Sequence, residues 1–159
     1  MSDSNNEIQL VTFKLGQETY GIDIMDVKEI VKIQEIRAIP GAPPYVSGIL
    51  NLRGTIIPII NLHRRFNLKK LDTDENEKLL RGIIVININD KLIGIIIDRV
   101  SRVISVETGT IKPPPQIISG IGAEYIDGVV NNEEGYLIIL DIKRLFSKTE
   151  LQQLHSISE

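Results

Sequence analysis

The sequence predicts an all-β protein: two five-stranded barrels related by a pseudo-twofold, sharing an apolar interface, with short helical turns and a C-terminal helix. Three observations carry this prediction. First, the chain is written twice. Residues 11–66 recur in weaker copy at 84–146, with Gly21 on Gly94, Val27 on Val100, Ile30 on Val103 and Pro40 on Pro113 at a spacing of 73 residues. Past Pro113 the spacing becomes 80, and Tyr45, Gly48, Asn51, Ile59, Arg64 and Phe66 fall on Tyr125, Gly128, Asn131, Ile139, Arg144 and Phe146. Such a repeat implies two like modules. Second, the apolar residues come in short β-branched runs cut by turn formers, the pattern of strands. Third, a module of roughly 60 residues and five short strands is marginal alone, and closing it into a barrel that packs on its twin removes edges and buries a shared face.

Residues 10–15 and 20–24, separated by Gly16-Gln17-Glu18-Thr19, read as a hairpin, and Asn87-Ile88-Asn89-Asp90-Lys91 marks its counterpart in the second copy. Residues 22–33 have an apolar spacing that fits a bulged strand or a helical turn; the density of Ile and Val selects a strand with an irregularity near Asp26. Pro40, Pro43 and Pro44 set a stiff corner, with one helical turn expected over Tyr45-Val46-Ser47-Gly48. A strand at 56–60 and a short helical turn at 62–66 complete the first copy, and Asp72-Thr73-Asp74-Glu75-Asn76-Glu77-Lys78 reads as a solvated linker. Strands follow at 83–88, 93–97 and 136–140, with a turn at Gly120-Ile121-Gly122 and a second short helical turn at 142–146. Residues 149–157 read as a terminal helix capped by Ser147 or Thr149. The chain, 1–159, is expected to be one domain, with barrel-forming repeats at about 8–66 and 81–146 and the helix at about 148–157.

Composition narrows the function by exclusion. A net charge of −3 with scattered charges gives no general attraction to nucleic acid or anionic lipid. The absence of Cys removes disulfide and thiolate chemistry and fits a reducing cytoplasm. The first seven residues are polar and acidic, unlike a signal peptide, and apolar runs such as 93–97 are far too short to span a bilayer. No metal or cofactor is called for: His63, in the basic stretch His63-Arg64-Arg65, and His155 lack ligands at metal spacing and read as exposed surface residues. No Gly-x-Ser-x-Gly element occurs, and no Lys-Ser or Lys-Thr pair closes a phosphate loop. Asp23, Asp26, Asp90, Asp98, Asp127 and Asp141 sit beside turns or strand ends, where Asp is normally structural. Three Phe and four Tyr, several matched between the copies as framework, leave little for stacking bases. A protein without catalytic activity is expected.

The segment that remains is Val46-Ser47-Gly48-Ile49-Leu50-Asn51-Leu52-Arg53-Gly54-Thr55-Ile56-Ile57-Pro58-Ile59-Ile60-Asn61-Leu62. Here the chain resembles the CheW family of chemotaxis adaptors, whose hallmark is N-L-R-G-x-x-x-P-[IV]-[IV]-[DN]-L. The resemblance extends to Tyr20-Gly21-Ile22-Asp23-Ile24 with Val27 and Glu29-Ile30, to residues 94–100, to Ile111-Lys112-Pro113 and to Tyr125-Ile126-Asp127-Gly128. It thus covers the chain from about residue 8 to 146. Asn61 departs from the Asp that many members carry, and either residue caps a following helical turn.

The resemblance implies SH3-like barrels and a cytoplasmic adaptor recruited to membrane-associated receptor arrays. Such an adaptor couples the cytoplasmic tips of chemoreceptors, the methyl-accepting chemotaxis proteins, to the regulatory domain of the histidine kinase CheA, and so helps control kinase autophosphorylation. The resemblance implies a receptor face at Val27, Glu29, Ile30, Arg53, Gly54, Val100 and Val103, and a kinase face at Pro40, Pro43 and Gly48. It further implies a monomer when free, with no nucleic-acid partner and no membrane insertion. The repeat independently singles out Arg53. Its counterpart is Glu133, so the module does not need Arg there to fold, although a pair with Glu29, placed nearby by the resemblance, would tie two segments together. Read from the residues alone, Val27, Ile30, Val100 and Val103 are core, and Pro40, Pro43 and Gly48 are turn residues. Two other readings stand beside the adaptor. One is a CheW-like domain of a larger signalling protein, either a kinase regulatory domain or a receiver-bearing coupling protein; a start at Met1 and a terminal helix weigh against it. The other is a nucleic-acid-binding double barrel.

Overall fold

The structure, a computed structural model, describes residues 6–66, 68, 80–114, 123–132 and 135–158. The expected linker at 72–78, the turn at 120–122 and Glu133 lie outside the described residues. In chain order the strands are β1 (Glu7–Leu15), β2 (Glu18–Asp23), β3 (Val27–Lys32), β4 (Val46–Leu52) and β5 (Thr55–Asn61), then β6 (Gly82–Ile88), β7 (Lys91–Ile97), β8 (Arg99–Glu107), β9 (Ile126–Asn132) and β10 (Gly135–Leu140). Helix α1 (Leu62–Arg65) follows β5, and α2 (Lys148–Ser158) ends the chain.

The strands form two five-stranded sheets, β8-β1-β2-β10-β9 and β3-β6-β7-β5-β4. Each sheet draws on both copies of the repeat. The barrels therefore do not coincide with the repeats at 8–66 and 81–146: the first hairpin of each copy is built into the barrel completed by the other. Alternation fixes which face of a strand is buried, not which edge that strand joins, so the exchange left no mark on the sequence. The first crossover is the 3-10 turn Ile24–Asp26, where the Asp23 carboxylate accepts the Met25 N–H at 3.0 Å. The single strand expected over residues 22–33 is therefore two strands in different sheets, β2 ending at Asp23 and β3 starting at Val27, and the irregularity near Asp26 is the turn that parts them.

The pseudo-twofold holds at the level of pairing. Val11 lies between Ile22 and Val103 in one sheet, as Ile84 lies between Ile95 and Ile30 in the other. The parallel contact Gly21–Ile139 recurs as Gly94–Ile59. The equivalence of Pro40 and Pro113 does not hold. The bridges that close the barrels, Arg37–Ile49 and Lys112–Val129, set the local spacing at 75. Two of the additional residues of the second copy therefore enter ahead of Pro113, where the 3-10 turn Thr108–Thr110 lies.

Strand alternation divides the core into three parts. Leu50, Leu52, Ile57, Ile59, Ile83 and Val85 fill one barrel, and Leu10, Val106, Leu137 and Ile139 fill the other. The largest cluster, including Val11, Phe13, Tyr20, Phe66, Ile84, Ile86, Ile95 and Phe146, joins residues of both sheets. Removing this shared apolar surface from water holds the two halves together. Edge strands β3 and β8 each carry a bulge, so that Val27 and Ile30 face Ile86 and Ile84, and Val100 and Val103 face Phe13 and Val11. A bulge places residues three apart on one face, which is why residues 22–33 read equally as helix or strand.

The proline corner corrects one expectation. Residues 45–48 do not make a helical turn; β4 begins at Val46, because the Tyr45 carbonyl accepts the Asn61 N–H at 2.8 Å and extends the pairing with β5. Gly48 has φ +149°, and a Cβ there would stand 2.0 Å from the Arg37 carbonyl oxygen, so only glycine lets the closing segment cross β4. At α2 the Ser147 hydroxyl accepts the Glu150 N–H at 3.1 Å and the Glu150 carboxylate accepts the Ser147 N–H at 2.8 Å, a reciprocal capping box. Among the described residues no helix is long and apolar enough to cross a membrane.

Candidate partner-binding face

Arg53 and Gly54 form the two-residue loop between β4 and β5, with φ +51° and +88° and with Leu52 opposite Thr55. Two positive φ values define the type I′ turn that matches hairpin twist. The Asn51 side-chain oxygen accepts the Gly54 N–H at 2.9 Å. The hairpin of β6 and β7 uses the same device: Asn89 and Asp90 have φ +52° and +65°, and the Asn87 oxygen accepts the Asp90 N–H at 2.9 Å. Asn, Asp and Gly tolerate this conformation; Arg is not among the residues that favour it.

From this turn the Arg53 guanidinium pairs with the Glu29 carboxylate on the bulge of β3, Arg53 being 67% exposed and Glu29 28%. An exposed pair of this kind contributes little stability, and a guanidinium with five N–H donors keeps several for another acceptor. Beside Glu29, Ile30 is 40% exposed, and across the pseudo-twofold Val103 is 51% exposed. Val27 and Val100 are half-buried against the shared core. The apolar face between the barrels therefore continues outward onto both edge strands, and the Glu29–Arg53 pair starts from the residue next to Ile30.

Pro40, Pro43 and Gly48 are placed differently. Pro40 is exposed and Pro43 half-buried, its carbonyl accepting the Val46 N–H at 2.9 Å. Together with Ile39, Ala42, Gln153 and Ser156 they line a shallow cleft against α2. Gly48 is buried beneath Arg37 and Ala38, so it shapes that edge from within.

Sequence reasoning missed two polar clusters. His63 and His155 are half-buried rather than exposed. His63 Nε2 lies 3.0 Å from both oxygens of Asp98, which also accepts the Gly16 N–H at 2.7 Å, so three segments meet at one carboxylate. Burial works against ionisation of Asp98, but the hydrogen bonds from His63 and Gly16, with the charges of His63 and Arg81, hold its pKa below the usual carboxylate range. Arg65 is the second cluster. It donates to the Leu145 carbonyl at 2.7 and 3.0 Å and to both Glu150 oxygens at 2.7 and 2.8 Å. Its guanidinium also lies 4.9 Å from the Tyr45 ring centre, 5.5 Å from Tyr125 and 5.4 Å from Phe146. The repeat hid Arg65, whose counterpart is Leu145; only the capping box signalled Glu150.

Asp23, Asp98 and Asp141 each accept a backbone N–H and hold their segments in place. Asp26 is raised, first by burial and then by Asp23, with Lys143 opposing and Asp141 adding to it. Asp23 and Asp141 cap their turns, Asp141 accepting the Lys143 N–H at 3.0 Å. Asn61 likewise caps α1, accepting the Arg64 N–H at 3.2 Å. Among the described residues no three His, Cys, Asp or Glu side chains come together to hold a metal ion.

Comparison with known proteins agrees with this geometry. Residues 9–150 match the CheW-like domain family. The chemotaxis protein CheW of Treponema pallidum is 55% identical over 157 residues, covering 99% of this chain and 92% of that protein. The chemotaxis protein CheW of Klebsiella aerogenes is 34% identical, covering 95% and 89%. The crystal structure of the scaffolding protein TtCheW from Thermoanaerobacter tengcongensis superposes with a TM-score of 0.80 at 35% identity, covering 90% of each chain. A double barrel of exchanged hairpins, a family match across nearly its whole length and relatives this similar establish that the chain belongs to the CheW family of chemotaxis scaffold proteins.

Proposed function

We propose that this chain is a non-enzymatic cytoplasmic adaptor that joins the cytoplasmic tips of chemoreceptors to the regulatory domain of the histidine kinase CheA, and so helps control kinase autophosphorylation. The receptor face comprises Val27, Glu29, Ile30, Arg53, Gly54, Val100 and Val103; Pro40, Pro43 and Gly48 form the kinase face. Arg53 is the observation that carries the reading. An arginine holds a turn position with φ +51°, presents a mostly exposed guanidinium and pairs with Glu29, the chain neighbour of exposed Ile30. Local departures from backbone preference collect at functional sites. The names of the relatives support the same reading, all being chemotaxis proteins or scaffolds.

The decisive experiment mixes the purified protein with a CheA regulatory domain and a soluble receptor-tip fragment. A complex containing all three, together with no ATP hydrolysis or phosphate transfer by the protein alone with Mg²⁺, is the expected result. Failure to bind either partner, or turnover that survives repurification, overturns it.

A further inference from the structure

Arg102 holds, on the bulge of β8, the place that Glu29 holds on the bulge of β3. In each strand two residues face one across the ladder: Lys28 and Glu29 face Val85, and Ser101 and Arg102 face Thr12. Val85 fills its barrel with an aliphatic side chain. Thr12, the fully buried polar side chain among the described residues, instead spends its hydroxyl on Arg102, accepting its N–H at 3.1 Å and donating to its carbonyl at 2.6 Å. A bulge takes main-chain groups out of the ladder and re-aims the side chain between them. Here one hydroxyl satisfies both groups and so fixes where the Arg102 side chain leaves the strand. That side chain is exposed and has no ion pair among the described residues, with half-buried Val100 and exposed Val103 as its strand neighbours.

The apolar rim thus carries a guanidinium on either side of the pseudo-twofold, Arg53 from one barrel and Arg102 from the other. Of the two, Arg53 alone has a carboxylate partner among the described residues. A cation with no ion pair among the described residues, anchored at its backbone with an exposed aliphatic residue next to it in the strand, complements a carboxylate on a mostly apolar partner surface. We propose that Arg102 is a specificity-determining residue of the receptor face, taking the carboxylate of an Asp or Glu flanked by aliphatic residues on the bound receptor tip. This rests on the receptor-binding reading above.

The test measures affinity for a soluble receptor-tip fragment with wild type, Arg102→Glu, Arg102→Gln and Arg102→Lys, beside affinity for the CheA regulatory domain and the thermal midpoint. Because Thr12 bonds only the main chain of residue 102, these variants are expected to fold. The proposal expects Arg102→Glu to weaken tip binding by about tenfold or more, Arg102→Gln by less, and Arg102→Lys least, with unchanged kinase binding. It also expects an acidic-to-Lys change on the tip to restore binding to Arg102→Glu. Equal tip affinity in wild type and a folded Arg102→Glu overturns the proposal and leaves the receptor reading standing. Loss of kinase and tip binding together in Arg102→Gln makes the residue framework and overturns it as well. A wild type that does not bind the tip overturns both.

Discussion

At Arg53 two small energies decide whether the side chain is there for the fold. A left-handed backbone costs an ordinary L-residue roughly 1–2 kcal/mol, while an exposed ion pair such as that with Glu29 returns only about 0.2–1 kcal/mol. The pair therefore at most offsets the turn, and the fold alone would do as well with Asn or Gly. Glu29→Ala is expected to lower stability by about 0.2–1 kcal/mol in denaturant titrations. Arg53→Glu is expected to weaken receptor-tip binding by about 2 kcal/mol or more, as at an interface hot spot, with kinase binding retained. Unchanged tip affinity in a folded Arg53→Glu protein would make the residue framework. Arg53 was legible because the repeat supplied a contrast, Glu133, at the same place. His63 and Asp98 were not, since they meet across 35 residues of chain from different copies and no local spacing encodes that approach.

Helix α2 shows how a marginal element is held. At eleven residues it is short for a helix standing alone. It is tied down by the Ser147–Glu150 box, by buried Leu154 and by Arg65, whose guanidinium joins Glu150 and the Leu145 carbonyl to the ring faces of Tyr45, Tyr125 and Phe146. Arg65 is only 13% exposed, so its removal takes the ion pair from Glu150 and the side-chain donors from the Leu145 carbonyl. Arg65→Met, which keeps the apolar stem, is expected to cost about 2–3 kcal/mol in equilibrium unfolding. Glu150→Gln, which preserves the capping geometry, is expected to cost about 1 kcal/mol. Equal costs for the two would show that the charge on Arg65 contributes nothing beyond the cap. The helix and its cap were readable because their signals are local. The expected turn over residues 45–48 failed because a non-local pair, Tyr45 with Asn61, outweighed the proline corner.

The two copies of the repeat, their strands and their pseudo-twofold could be read from self-similarity, because each depends on residue type and spacing. The exchange of the first hairpins could not, because both assignments bury the same faces of the same strands. Its thermodynamic signature is measurable. Each barrel contains strands from both halves of the chain and the largest cluster spans both sheets, so neither barrel can be lost without the other. Spectroscopic probes placed in either barrel are expected to report one coincident unfolding transition, with equal midpoints by heat and by denaturant. Two separated transitions would show that the barrels are independent. The same interleaving governs how inherited variation reads out along the gene. A substitution in residues 7–23 injures the barrel completed by residues 99–140, and one in residues 82–97 injures the barrel completed by residues 27–61. Lesions that lie far apart on a linear map therefore strike one sheet, while neighbours on either side of Ile24–Asp26 strike different sheets of the same cooperative unit.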